Sequence, residues 1–236
     1  MSNPEVVLWL LIATLAVVIV VSIFNKIRNW TLIRLVTSRS RGTKSERDLA
    51  LKLLNAGIAS QHIFHDLYLR KRSGRFAQID LLVITKIGII VFEVKDYSGW
   101  IFGNGSQTQW TQVLAYGKRK YRFYNPIKQN QGHIEALKHK LKYHIEVPFY
   151  SVIVFYGDCV LKDISYVPNG TFIAKSNRVK SVIKHIIKTN EAVIYKDKTT
   201  ITGILQRAVR NGDDDNIKHR HSADISDLLG KHRIFD

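Results

Sequence analysis

From Val6 to Phe24 the chain reads VVLWLLIATLAVVIVVSIF, nineteen residues without a charged side chain. As an α-helix this run is about 28 Å long, close to the roughly 30 Å hydrocarbon core of a bilayer. A soluble core helix seldom stays apolar on every face for five turns, because one side normally meets water. A cleaved leader fits no better: Glu5 stands where a basic region is expected, and no small-residue cleavage motif follows Phe24. Residues 6–24 are therefore expected to form a single membrane-spanning helix after a short segment, 1–5. Lys26, Arg28, Arg34, Arg39, Arg41 and Lys44 follow the span before any acid, whereas Glu5 is the only charged side chain ahead of it. Positive flanks stay on the cytoplasmic side. The expected topology is single-pass in the cell's plasma or inner membrane, N-terminus outside and the remainder cytoplasmic. The basic connector, residues 25–41, can rest on anionic headgroups with Trp30 near the interface.

The remainder has the make-up of a globular domain with an acidic partner. Across 236 residues there are 36 Lys+Arg against 19 Asp+Glu, a formal net charge of +17, with 45% apolar residues. That excess of positive charge suits nucleic acid or anionic lipid. The single cysteine, Cys159, excludes an internal disulfide framework, a Cys-ligated zinc site and a Cys-x-x-Cys redox centre. No Gly-rich phosphate loop is present, which argues against ATP or dinucleotide binding.

Periodicity gives the order of elements. A helix is expected over Lys44–Asn55, with Leu49, Leu53 and Leu54 on one side and Gly57 as its stop. Strand-like runs follow at His62–Leu69, Gln78–Thr85, Gly88–Asp96, Trp110–Val113 and Tyr150–Phe155. Pro126 opens an amphipathic helix that reaches about His144. A strand near Gly170–Ala174 and helices near Arg178–Thr189 and Thr199–Arg210 come next, then a polar tail from Asn211. The sum is an α/β fold, a central mixed sheet flanked by helices. In domains this reads as the globular unit over 42–176 and a helical extension with a polar tail over 177–236.

The segment QIDLLVITKIGIIVFEVKD, Gln78 to Asp96, carries the chemistry. Its second strand is apolar at both parities, so it should be covered on both faces. Glu93 and Lys95 share a face with Ile89 and Val91 and cannot be dismissed as a wet edge. Pairing Ile84 with Ile89 brings Asp80 opposite Glu93, with Cβ atoms roughly 5 Å apart. Two such anions repel by about 3 kcal/mol at an effective dielectric of about 20. Lys95 or a bridging divalent cation must offset that, and the two can coexist. All-oxygen ligands favour Mg²⁺ or Mn²⁺ over zinc.

Several further residues complete a pattern: Gly42-x-x-x-Glu46, Gln78-Ile79-Asp80, Val91-Phe92-Glu93-Val94-Lys95 with Tyr97 and Gly99, then Asn125-Pro126 and Gln129. Together, over about Gly42–Leu141, they resemble the nuclease-related domain (NERD) family, a branch of the PD-(D/E)xK nuclease superfamily. The resemblance implies a restriction-endonuclease-like αβββαβ core and metal-dependent hydrolysis of phosphodiester bonds. It implies metal ligation by Asp80, Glu93 and the Val94 carbonyl, with Lys95 catalytic. Glu46 on the first helix and Gln129 on the second would line the site. Ser45 and Leu81 depart from the family's usual Gly and His without touching a proposed ligand. The expected substrate is nucleic acid, DNA ahead of RNA. The alternative is a non-catalytic nucleic-acid-binding or protein-interaction module tethered to the membrane.

Other residues have competing readings. Thr43-Lys44-Ser45-Glu46 is also a capping box, which would occupy Glu46 structurally. His133, one turn beyond Gln129, reads as an exposed or capping histidine. Arg70, Arg72 and Arg75 form one basic loop. Lys118, Arg119, Lys120 and Arg122, interleaved with Tyr121, Phe123 and Tyr124, form another, suited to phosphates and bases. The aromatics of the second could equally pack inward. Asp213–Asp215 and His219–His221 read as a solvated tail.

Overall fold

The computed structural model describes residues 4–114, 117–142, 144 and 146–230; the ends of the expected N-terminal segment (1–3) and polar tail (231–236) lie outside the described residues. In chain order the elements are helix α1 (Pro4–Ile33), α2 (Lys44–Asn55), strands β1 (Ile63–Arg70), β2 (Phe76–Thr85), β3 (Gly88–Asp96), β4 (Gly99–Asn104), β5 (Gln109–Leu114) and β6 (Arg119–Tyr124). There follow α3 (Pro126–Leu141), β7 (Phe149–Tyr156), β8 (Cys159–Ser165), β9 (Thr171–Lys175), α4 (Val179–Thr189), α5 (Lys198–Asn211) and α6 (Asp215–Gly230).

The order α2-β1-β2-β3-α3-β7 builds the mixed α/β core. A five-stranded sheet runs β1-β2-β3-β7-β9. Its first three strands are antiparallel, and β3, β7 and β9 are parallel. As the two apolar parities of β3 require, both faces are covered. Ile90 and Phe92 join Leu49 and Leu53 of α2 and Val179, Ile183 and Ile186 of α4 in one core. Ile89 and Val91 join Ile134, Leu137 and Leu141 of α3 and Ile201, Leu205 and Ala208 of α5 in the other. The C-terminal helices are thus layers of the same sheet sandwich and not an appendage.

A second, four-stranded sheet, β6-β5-β4-β8, extends the molecule beyond the exit of β3. It shares a third core with the main sheet, in which Ile101 and Trp110 meet Ile127 of α3 and Ile153 and Phe155 of β7. The basic run is an edge strand of this sheet and not a loop. The residues after Asn211 also differ from expectation, since α6 continues to Gly230. There His221 sets its ring edge-on to Tyr68, 5.6 Å between centroids.

The apolar N-terminal run belongs to a longer helix, because α1 continues past Phe24 to Ile33 and has no buried residue. It is long and apolar enough to cross a membrane. Its last residue and Val36 pack on the α2 side of the core. Beyond it, Arg41 donates to the carbonyls of Asp66 (2.8 Å) and Val209 (2.7 Å) and pairs with Asp213 (2.9 Å). The connector is therefore pinned to β1 and to the end of α5.

Helix α3 is fixed to the sheet by a buried amide. Asn130 donates to the Val91 carbonyl (2.9 Å) and to Ser151 Oγ (2.8 Å). Asn130→Ala leaves both partners unsatisfied in a dry interface. It is expected to lower unfolding stability by about 1–3 kcal/mol in denaturant titration, and an unchanged midpoint would contradict that role.

Candidate active site at the exit of strand β3

Strands β2 and β3 pair in the register derived from the sequence, Ile84 with Ile89 through to Leu81 with Phe92. One step further the two strands part. The Asp80 carboxylate then does what a backbone carbonyl would otherwise do: its Oδ2 accepts the Val94 N–H at 2.7 Å. Asp80 lies across from Asp66 on β1, a residue with a left-handed backbone, φ 54°. Ile79 and Leu81, two apart on β2, belong to opposite cores, so the strand turns over at Asp80. The site sits where the sheet splits.

On β3, Glu93 and Lys95 face α3. The Lys95 ammonium lies 2.7 Å from Glu93 Oε1 and donates to Gln129 Oε1 at 2.9 Å. One helical turn on, His133 Nε2 is 3.3 Å from Glu93 Oε2. The match is geometric: two residues of strand rise about 6.6 Å and four residues of helix about 6 Å. Antiparallel packing therefore gives each strand side chain its own helix partner, Lys95 with Gln129 and Glu93 with His133. His133 is thus neither exposed nor a cap, since only 12% of its side chain remains accessible. Its i+4 spacing from Gln129 was the signal for this in the sequence.

Of the two readings of Glu46, the capping one describes what its backbone and first oxygen do. Thr43 caps α2, accepting from Glu46 N (3.2 Å) and donating its hydroxyl to Glu46 Oε1 (2.8 Å). The second oxygen faces His65 Nε2 at 3.4 Å, and His65 Nδ1 meets Thr37 Oγ1 at 2.7 Å. His65 and Asp66 had no sequence signal, because both stand in an otherwise apolar strand. Ser45, the departure from the family pattern, hydrogen-bonds Asp96.

The charges are unevenly compensated. Burial would raise the Glu93 carboxyl, but His133 and Lys95 beside it hold it below its usual range. Burial likewise works against the Lys95 ammonium, yet Glu93 and Asp80 keep its pKa above the ordinary lysine value. Burial would also raise Glu46, and His65 and Thr43 hold it down. Asp80 is the exception. Burial, then the charges of Glu93 and Glu46, push its carboxyl well up, and the Val94 N–H and Lys95 do not cancel them. A frustrated carboxylate beside a buried, half-satisfied one is an arrangement that a cation would relieve. Among the described residues no three His, Cys, Asp or Glu side chains gather closely enough to hold a metal by themselves. Any metal held here would need a mixed donor set, in which Asp80 and Glu93 were joined by main-chain oxygen, such as the Val94 carbonyl, and water.

The sequence from Arg41 to Tyr156 matches the family model described as nuclease-related domain. The chain carries a nuclease-related domain. The match runs from the end of the connector through β7 and so takes in every element that bounds the site. The uncharacterized protein pXO1-01 of Bacillus anthracis is 30% identical over 125 residues, 53% of this chain. The aligned part spans 57% of that relative's length. No solved structure matches.

Two basic segments lie near this end of the sheet in the nuclease-related domain. The register places the β1–β2 turn, with Arg70, Arg72 and Arg75, beyond the same end of the sheet as Asp80 and Glu93. Strand β6, with Arg119, Lys120 and Arg122 exposed and Lys118 just before it, runs directly into Asn125, the N-cap of α3. Its aromatics divide: Phe123 packs on Tyr97 (4.7 Å between centroids), whereas Tyr121 and Tyr124 stay about half exposed. Charges on such an edge also discourage strand pairing between copies.

The contributions of the cap and of the Glu46 charge to stability can be separated. Glu46→Gln preserves a capping box, whereas Thr43→Ala removes the cap. Thr43→Ala should destabilise the fold by about 1 kcal/mol in chemical denaturation, with Glu46→Gln closer to wild type. The reverse order would show that the carboxylate's charge, not the cap, holds α2 in place.

Proposed function

We propose that this chain is a single-pass membrane protein whose cytoplasmic nuclease-related domain hydrolyses phosphodiester bonds of nucleic acid, DNA ahead of RNA. The observation that carries this reading is the buried Lys95 ammonium, held between Glu93 and Gln129 beside the uncompensated Asp80. Asp80, Glu93 and the Val94 carbonyl would hold Mg²⁺ or Mn²⁺. Bound there, the cation lends Lewis acidity, polarising a phosphate oxygen and acidifying a water.

The protein's own groups do the rest. Lys95 carries a fixed positive charge at the point where negative charge builds on the pentavalent phosphorus, and it can orient the attacking water. Gln129 Oε1 accepts a hydrogen bond from the Lys95 ammonium and so limits its rotamers. Arg70, Arg72, Arg75, Lys118, Arg119, Lys120 and Arg122 would neutralise phosphates on either side, with Tyr121 and Tyr124 available for stacking on unpaired bases. Glu46 acts from α2 through its negative charge on Asp80.

The full chain in detergent, incubated with plasmid or single-stranded DNA and Mg²⁺, is expected to cut. Glu93→Ala and Lys95→Ala should each lower the rate by roughly 100-fold or more, with DNA retention on a filter unchanged. Equal rates in all three proteins would remove the mechanism. A non-catalytic tether is the second reading, favoured by the closeness of the Glu93–Lys95 pair, which could be purely structural. It predicts salt-sensitive binding and no product with any divalent ion.

For the anchor, the uncharged run and its basic flank support insertion with the domain on the cytoplasmic side. The full chain should float with vesicles and stay with them through an alkaline carbonate wash. Recovery in the soluble fraction would contradict the anchor and leave the chemistry untouched.

A further inference from the structure

Glu93 is 1% exposed, and only one of its oxygens has a hydrogen-bond partner. Oε1 meets the Lys95 ammonium. Oε2 faces His133 Nε2, and both of those atoms are buried without a hydrogen bond. The two atoms are close enough for an ion pair if the imidazole is protonated. A buried carboxylate oxygen and ring nitrogen that face each other without a hydrogen bond are nevertheless poorly satisfied unless something joins them. Their separation is informative. Donors 3.3 Å apart, each about 2.1 Å from one cation, subtend about 100° there, between octahedral and tetrahedral values.

Glu46 Oε2 and His65 Nε2 form a similar pair, also buried and also without hydrogen bonds. That pair is sealed. His65 has no exposed side-chain area, and Gly42 lies against both groups so closely that a Cβ there would collide with each. Its Glu46 is committed to the cap of α2. The Glu93–His133 pair instead lies next to side chains that reach solvent, through the residual exposure of His133 (12%) and of Lys95 (17%).

We infer that Glu93 Oε2 and His133 Nε2 form a nitrogen–oxygen chelate that tunes the site toward a first-row transition dication such as Mn²⁺ in preference to Mg²⁺. The inference rests on the reading of Glu93 as a metal ligand. Imidazole nitrogen suits transition dications, whereas Mg²⁺ prefers oxygen and retains its waters. These two donors, from one strand and one helix, leave the other positions to Asp80, main-chain oxygen, water and substrate phosphate. His133 also ties metal loading to α3, the helix that positions Gln129 against Lys95.

The test is pulsed electron paramagnetic resonance on the full chain in detergent with Mn²⁺, combined with calorimetric titration of Mn²⁺ and Mg²⁺. The expected spectrum shows strong ¹⁴N coupling from a coordinated imidazole, replaced by ¹⁵N coupling when histidine is isotopically labelled. His133→Gln should lose that coupling and bind Mn²⁺ about tenfold more weakly or worse, with Mg²⁺ affinity changed less than about twofold. Mn²⁺ held in a Glu93-dependent way without nitrogen coupling in the wild-type protein would overturn the chelate and leave the nuclease reading standing. Mn²⁺ binding indifferent to Glu93→Gln would overturn the metal assignment and, with it, the chelate.

Discussion

A carboxylate with almost no solvent contact cannot remain ionised in a protein interior without compensation, and Glu93 obtains it from two directions. Lys95 supplies the charge from the same strand face, and α3 brings Gln129 and His133 to close the arrangement. This requirement explains the local architecture. Strand β3 must be central so that Glu93 is buried, and β2 must leave it at Asp80 so that the ammonium has room. Helix α3 must lie antiparallel at a fixed height, which Asn130 sets through Val91 and Ser151. Move α3 by one residue and both polar pairs come apart.

The same logic distinguishes the two acidic groups on β2 and β3. Glu93 is satisfied enough to stay charged, whereas Asp80 has a single strong donor, the Val94 N–H, against burial and two like charges. Leaving one carboxylate frustrated is destabilising for folding, and a cation bound as proposed would relieve it. The nuclease-related domain thus holds its charge imbalance at the split in its sheet, where a phosphate backbone steered by the flanking basic segments would come within reach.

Much of this was legible in the sequence, and the parts that were not have physical reasons. Helix α2 and strand β3 carry unambiguous periodicity, and their limits, Lys44–Asn55 and Gly88–Asp96, match the expected ones. The second sheet was largely hidden. Strand β4 begins with glycine and contains another, and β6 has exposed basic residues where a half-buried strand would alternate. The parting of β2 from β3 was invisible, as was the left-handed backbone of Asp66 across from it, because no turn signal interrupts these apolar strands. His133 had the right spacing, but a lone histidine on a basic helix is usually solvated, and only the facing strand reveals its partner. The Asp213–Asp215 run looked like part of a free tail, yet Asp213 is one end of the Arg41 clamp and α6 follows.

The clamp and the packing of Ile33 against the core tie the end of α1 closely to the nuclease-related domain. If α1 is inserted as proposed, the domain would meet nucleic acid near the membrane surface, where the anionic leaflet would compete for the same basic segments. The proposed metal site is tested most directly by a crystal of the protein soaked in Mn²⁺ and measured at the manganese absorption edge. An anomalous peak is expected within about 2.5 Å of carboxylate oxygens from both Asp80 and Glu93. No peak there at millimolar Mn²⁺, with Lys95 still bound to Glu93, would show that the lysine alone neutralises the site and that its chemistry is not metal-assisted hydrolysis.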